Sequence, residues 1–287
     1  MTRMQKQFEL QNTLYTSSNP TRRYLHCARR DWVLAEVAGT PVADIAAEIG
    51  PGSGVYLQAL RAKCHQLLVV DQESAFLCGS ATETAVQSPA NEIADANPAC
   101  VGKESGARLG SNDSGTVYLL GALPKLPLAD RSVDLLLCSE VVEHIPDIRS
   151  QLAELARILK PGGRLVLTTP QPASPLEMLG RVAFLPGVIQ LLRLIYREPI
   201  EPTGHINVVS RATVEHVFEE VGLVVRRRSA MGFYLPIIGE FGGHLGRRVL
   251  EWCDTRLQES PLAFLLWSQC YVLELSSEGR GRTGKTL

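Results

Sequence analysis

The stretch AAEIGPGSGVYLQAL, residues 46–60, places three glycines within five positions, between an apolar run and a helix-like one. A glycine-rich turn at such a junction lets a ligand approach main-chain atoms that any Cβ would block. It also aims the N–H groups of the following helix at that ligand. On this reading VADIAAEI (42–49) is a first strand, VYLQALRAK (55–63) its helix, and QLLVVD (66–71) a buried second strand ending in an acid. Two short apolar runs joined through a helix form a right-handed βαβ unit, and therefore a parallel pair.

The same alternation runs down the chain. TVYLLG (116–121), SVDLLLC (132–138), GRLVLTTP (163–170), LVVRRR (223–228) and CYVLELS (270–276) bring the strand count to seven. Helices are expected over PTRRYLHCARRDWVLAEVAG (20–39), DIRSQLAELARILK (147–160) and RATVEHVFEEVG (211–222). In the second of these Ile148, Leu152, Leu155, Ala156 and Leu159 share one face, which suits packing on a sheet. The pattern predicts an α/β fold: a doubly wound, seven-stranded, mostly parallel sheet with ligands at the strand carboxyl ends. Residues 1–40 read as an arm and an amphipathic helix, and 41–287 as one domain, a size that buries a real core. Within it, 78–115 is crowded with small polar residues and is expected to be a mobile insertion. Two apolar segments, 171–210 and 231–268, exceed what a crossover needs and are expected to form a helical cap over the site.

Charge narrows the function classes. With 29 Lys+Arg against 30 Asp+Glu, nothing electrostatic argues for a nucleic-acid partner, and the Arg226-Arg227-Arg228 run reads as a solvated edge. The start MTRMQKQFEL lacks the apolar core of a signal peptide, and the apolar window 176–196 is interrupted by Glu177, Arg181, Pro186 and Arg193. The expectation is a soluble, cytoplasmic protein. Seven cysteines form no CxxC pair and have no histidine at metal spacing, so they are expected to be reduced and structural, with no metal site.

The glycine turn alone does not name its ligand. A nicotinamide fingerprint needs G-x-G-x-x-G/A, and counting from Gly50 and Gly52 the third place falls on Val55. Glu48 ends the first strand two residues before Gly50 and should face the same crevice. Its carboxylate would repel a pyrophosphate and attract a ligand carrying cationic groups.

EIGPGSG (48–54) resembles the first motif, acid-x-G-x-G-x-G, of the class I S-adenosylmethionine-dependent methyltransferases. LVVD (68–71) resembles that family's second strand with its ribose-binding acid, and GALPKLPLADRSVD (121–134) the run from the third strand into the fourth. SEVVEHI (139–145) resembles the segment after the fourth strand, and LKPGGRL (159–165) the turn into the fifth. The resemblance implies S-adenosylmethionine as cofactor, with Gly50 and Gly52 admitting its methionine portion, Glu48 balancing its charge and Asp71 accepting the ribose hydroxyls. An acid common in the family is Ala122 here, so adenine would rest on backbone groups near Ala122 and Leu123 and on apolar walls. Ser139 would line the methionine end.

A methyl acceptor that is a hydroxyl gains from a proton acceptor whose ordinary pKa of about 6.5 lies near working pH, which makes histidine the natural choice. His144 after the fourth strand and His205 in the Thr-Gly-His turn are the candidates, whereas Glu140 and Glu143 read as surface or capping acids. The expected activity is methyl transfer to a small, apolar acceptor, with oxygen favoured and carbon or nitrogen open, and with the Arg181 and Arg193 side facing solvent or, as a peripheral contact, a membrane surface. A non-catalytic binder of the same cofactor and a nicotinamide-dependent oxidoreductase are the alternatives.

Overall fold

The computed structural model describes residues 15–73, 108–112, 115–183 and 206–276. Helix α1 (Pro20–Ala38) leads into β1 (Ala43–Ile49), α2 (Leu57–Arg61) and β2 (Cys64–Asp71). Then come β3 (Arg108–Asn112), β4 (Thr116–Leu120), β5 (Val133–Ser139), a 3-10 turn (Val142–His144), α3 (Ile148–Ile158) and β6 (Leu159–Pro170). The remainder is α4 (Pro175–Ala183), α5 (Arg211–Glu220), β7 (Leu223–Met231), α6 (Pro236–Phe241), α7 (Gly243–Gln258), a second 3-10 turn (Pro261–Leu265) and β8 (Ser268–Leu275). Side-chain caps start α1 and α5. Asn19 accepts from the Thr21 and Arg22 amides (2.9 and 3.1 Å) and Ser210 from Thr213 (3.2 Å), each cap contributing about 1 kcal/mol.

The sheet runs β3-β4-β2-β1-β5-β6-β8-β7. Strands β4, β2, β1, β5 and β6 are parallel, and β8 lies antiparallel between β6 and β7. All seven expected strands are present, in a doubly wound α/β sheet. An eighth, β3, pairs antiparallel with β4 at the edge. It corrects the reading of 78–115 as one mobile insertion, because the tail of that segment belongs to the sheet. RLGSN lacks an apolar alternation, so its main-chain pairing with β4, not its side chains, makes it a strand. The remainder of the segment, apart from Gly115, lies outside the described residues.

Side-chain alternation sorts the sheet into two faces. Ile45, Ala47, Leu68, Val70, Leu136 and Leu167 pack toward α3 and α5, where Leu152, Leu155, Val214 and Phe218 are buried. Ala46, Leu67, Val69, Leu135, Leu137 and Val166 pack toward α1 and α2, against Val33, Val37, Tyr56 and Leu60. Each fully buried leucine contributes about 1.5–3 kcal/mol, so both layers are strongly held. A smaller cluster of Leu25, Tyr234, Leu250 and Trp267, with Leu176 against it, joins α1, α4, α6 and α7.

Strand ends place that cluster. Pro170 at the carboxyl end of β6 pairs with Ser268, the first residue of β8, and Met231 at the end of β7 pairs with the same Ser268. The whole 232–267 connection therefore leaves and re-enters at the carboxyl edge of the parallel strands. The arginine run lies along β7, with Arg226 paired to Glu274 (2.8 Å), Arg227 to Glu36 (2.6 Å) and Arg228 to Glu215 (3.5 Å). Cys27, Cys64, Cys138, Cys253 and Cys270 are free thiols. Among the described residues no helix is long and apolar enough to cross a membrane.

Candidate active site at the strand carboxyl ends

The alternation that puts Ala46 and Val69 on the α1 side puts Glu48, Asp71, Ser139 and Thr168 on that side too, each at or next to the carboxyl end of its strand. Glu48 is opposite Val69 and Leu137, and Ser139 is opposite Thr168. Gly50, Gly52 and Gly54 all have positive φ (67, 53 and 72°), a backbone that side chains with a Cβ adopt only under strain. A Cβ on Gly50 would also lie 2.7 Å from Val141 Cγ2, so the turn packs flush against the loop after β5. That turn brings Glu48 and Asp71 together with the segment SEVVEHI.

Glu48 is 2 % exposed, and its Oε2 is buried without a hydrogen-bond partner. Burial, with the nearby Asp71 charge, pushes its pKa up to about 8. Asp71 is also buried and is pushed up to about 6, chiefly by desolvation, although its Oδ1 accepts from the Glu73 amide (2.8 Å). Two desolvated acids beside a bare glycine turn make a site suited to a cationic ligand. A ligand with ammonium and sulfonium groups fits it, and a pyrophosphate does not.

Ala122 opens a turn in which the Lys125 amide donates to its carbonyl (2.9 Å), next to Asp71, whose carbonyl accepts from Gly121 (2.9 Å). The Leu123 side chain is buried in the α3-side core, so only its main chain can face a ligand on the other side. Ser139 Oγ is 2.9 Å from Thr168 Oγ1, which tethers it to β6.

The segment after β5 departs from expectation. Glu140 and Glu143 are not surface acids. Glu140 takes a left-handed backbone (φ 55°) held by its amide to the Thr168 carbonyl (3.0 Å), its Oε1 to Thr168 Oγ1 (3.1 Å), and its Oε2 to Arg29 Nη1 (3.0 Å). Arg29 is itself buried, its guanidinium 5.2 Å from the Trp267 ring centroid. Glu143 is 0 % exposed; its Oε2 accepts from Thr169 (3.2 Å) while Oε1 is buried without a hydrogen bond. Desolvation, then the Glu140 charge, pushes the Glu143 carboxyl well above the usual range. The His144 ring is 42 % exposed, with Nε2 3.9 Å from Glu143 Oε1. His205 lies outside the described residues, as do Phe184 to Ile195 of the first cap segment.

Arg29 was not anticipated, yet a signal for it exists. Leu25, Arg29, Val33 and Val37 recur every four residues along the buried stripe of α1, and a lone arginine on such a stripe calls for a buried partner. His26, one position before Cys27, packs edge-on to Trp267 (5.4 Å), and burial lowers its pKa to about 3.

A family profile described as "Methyltransferase domain" matches residues 23–227. A ubiquinone biosynthesis O-methyltransferase of Aeromonas salmonicida is 30 % identical over 118 residues, 40 % of this chain and 44 % of that protein. A dimethylglycine N-methyltransferase of Parasynechococcus marenigrum is 43 % identical over 54 residues, 19 % of each. The chain spans less than half the length of the curated relatives it matches. Among solved structures, the N-methyltransferase NodS of Bradyrhizobium japonicum, in complex with S-adenosyl-L-homocysteine, superposes with a TM-score of 0.52. Its identity is 15 %, over 95 % of this chain and 96 % of that one, a likeness of fold. The matched profile covers well over half of the chain: the chain belongs to the class I S-adenosylmethionine-dependent methyltransferases.

Proposed function

We propose that this protein transfers a methyl group from S-adenosylmethionine to a small, largely apolar acceptor, with oxygen as the favoured acceptor atom. The buried Glu48 carboxyl with its orphaned Oε2, beside Asp71 and the three positive-φ glycines, carries the reading. When bound, S-adenosylmethionine supplies a sulfonium methyl that is already activated. The chain then has to orient the acceptor, keep water out and take a proton. Gly50 and Gly52 would admit the methionine portion, Glu48 would balance its charge, and Asp71, with two acceptor oxygens, would hold the ribose hydroxyls. Main-chain groups at Ala122 and Leu123 would meet the adenine, and Ser139 would border the methionine end.

His144, partly exposed beside buried Glu143, would accept the proton of a hydroxyl acceptor, with His205 as the other candidate. The buried Arg29–Glu140 pair would fix the loop that carries them. An apolar acceptor is supported by the cap cluster of Leu25, Leu176, Tyr234 and Trp267 at the strand carboxyl edge. Oxygen is supported by the name of the Aeromonas relative.

The test is label transfer from methyl-labelled cofactor into cell-extract fractions, followed by mass analysis of the product. Phe184→Asp or Leu192→Asp should abolish transfer to the true acceptor while cofactor affinity stays within about twofold, roughly 0.4 kcal/mol. Cofactor binding with no labelled product in any fraction would leave a non-catalytic binder. Full activity of both variants on a small polar acceptor would refute the apolar pocket.

A further inference from the structure

Among the described residues, helix α7 is anchored on one side. Gly246, Leu250 and Asp254 are buried, and Asp254 Oδ2 accepts from the Tyr24 hydroxyl (2.5 Å) and the Gly232 amide (3.0 Å), which ties α7 to α1 and to the end of β7. The opposite side carries Leu245, Val249 and Trp252 at i, i+4 and i+7, a single stripe on a helix of 3.6 residues per turn. Ile237 and Phe241, four apart on α6, precede them. All five are between 42 and 79 % exposed. Single exposed hydrophobes need no explanation, but five large ones on two successive helices amount to a binding face.

Charge selects its occupant. The acids of both helices are committed elsewhere: Glu240 to Arg22 (2.7 Å), Glu251 to Arg247 (3.4 Å), and Asp254 inward. Arg248 and Arg256 are exposed and have no acid partner among the described residues, and the Arg256 guanidinium sits 5.6 Å from the Trp252 ring centroid. An apolar stripe with tryptophan in it and unpaired arginines along it suits the headgroup region of an anionic bilayer, where the indole and aliphatic side chains enter the interface and the guanidinium groups meet phosphates. A second copy of this chain fits less well, because the acids of its own α6 and α7 are already paired and would offer Arg248 and Arg256 no counter-charge.

We propose that the α6–α7 face docks this protein on an anionic lipid surface. The proposal goes beyond methyl transfer and stands or falls independently of it. It moves the expected membrane contact from the Arg181 and Arg193 side to α7.

The test is flotation of the full-length protein with vesicles of phosphatidylcholine, with and without phosphatidylserine. Binding is expected on the phosphatidylserine vesicles, weakening as salt rises. Leu245→Ser with Trp252→Ser should reduce partitioning at least about tenfold, from the apolar area withdrawn from the interface. Arg248→Gln with Arg256→Gln should reduce it about twenty-five-fold, some fivefold per charge. All four side chains are exposed, so urea midpoints and cofactor affinity should match the parent and show that the variants are folded. No binding to either vesicle, or binding unchanged in both variant pairs, overturns the proposal. A dimer seen by sedimentation equilibrium and dissolved by the Leu245→Ser and Trp252→Ser pair would assign the face to a second copy instead, and overturn it equally.

Discussion

Cofactor binding should be linked to a proton through Glu48. In the free protein this carboxyl is buried with a pKa near 8, so at pH 7 roughly nine-tenths of it is protonated. A cationic ligand placed against it favours the carboxylate, and binding at pH 7 should therefore release close to one proton. Affinity should climb with pH by up to about tenfold per unit below 8, which from pH 6 to 8 amounts to about fiftyfold, or 2.3 kcal/mol. Calorimetric titration with S-adenosylmethionine in two buffers of different ionisation enthalpy measures the proton count directly. The ligand's own amine titrates equally against parent and Glu48→Gln, so the difference between the two proteins isolates Glu48. The free protein provides a second check with a definite sign. An acid whose folded pKa exceeds its ordinary value of 4.5 stabilises the fold fully below that value and loses the contribution as pH rises through about 8. Thermal stability of the ligand-free parent should thus fall between pH 5 and 8, and Glu48→Gln should flatten that fall. A pH-independent affinity, or the same proton release from Glu48→Gln, would refute the electrostatic account of the pocket.

Asp71→Ala removes a charge-assisted hydrogen-bonding group and should weaken cofactor binding about ten- to a hundredfold by calorimetry, worth roughly 1.5 to 3 kcal/mol. Arg29→Leu leaves the Glu140 carboxylate without its buried partner and should cost about 3–5 kcal/mol in urea unfolding, whereas adding Glu140→Gln should recover much of it; equal losses in the single and double variants would show that the pair is not coupled. Replacing residues 80–104 with a short Gly/Ser linker should leave the melting temperature and cofactor affinity nearly unchanged, while extending the deletion through Asn112 removes β3 and should destabilise the sheet edge, an ordering that a melting curve of the two deletions checks directly.

The core of the fold and the grouping of Glu48, Asp71 and the glycine turn were legible in the sequence because both are written in local chemistry. Near-continuous apolar runs such as ADIAAEI and CHQLLVVD, buried on both faces, set the strands, side-chain alternation decides which face their terminal acids share, and the glycine turn is legible because only glycine tolerates three positive-φ positions so close together. The segment after β5 was legible only in outline. In SEVVEHI the two glutamates read as surface or capping acids, and nothing within the segment says that Glu140 will meet Arg29 from α1 or that the Glu143 carbonyl will accept from the Ile206 and Asn207 amides (2.9 Å each). Those contacts join segments far apart in the chain, and burial of a charge is favourable only when its partner arrives from elsewhere. Strand β3 follows the same rule, since RLGSN has no strand pattern of its own and is held by the main chain of β4. Helix α7 shows the converse: the sequence offered only an apolar segment over 231–268, and which side of the helix would remain outside was decided by Asp254 turning inward to Tyr24 and Gly232.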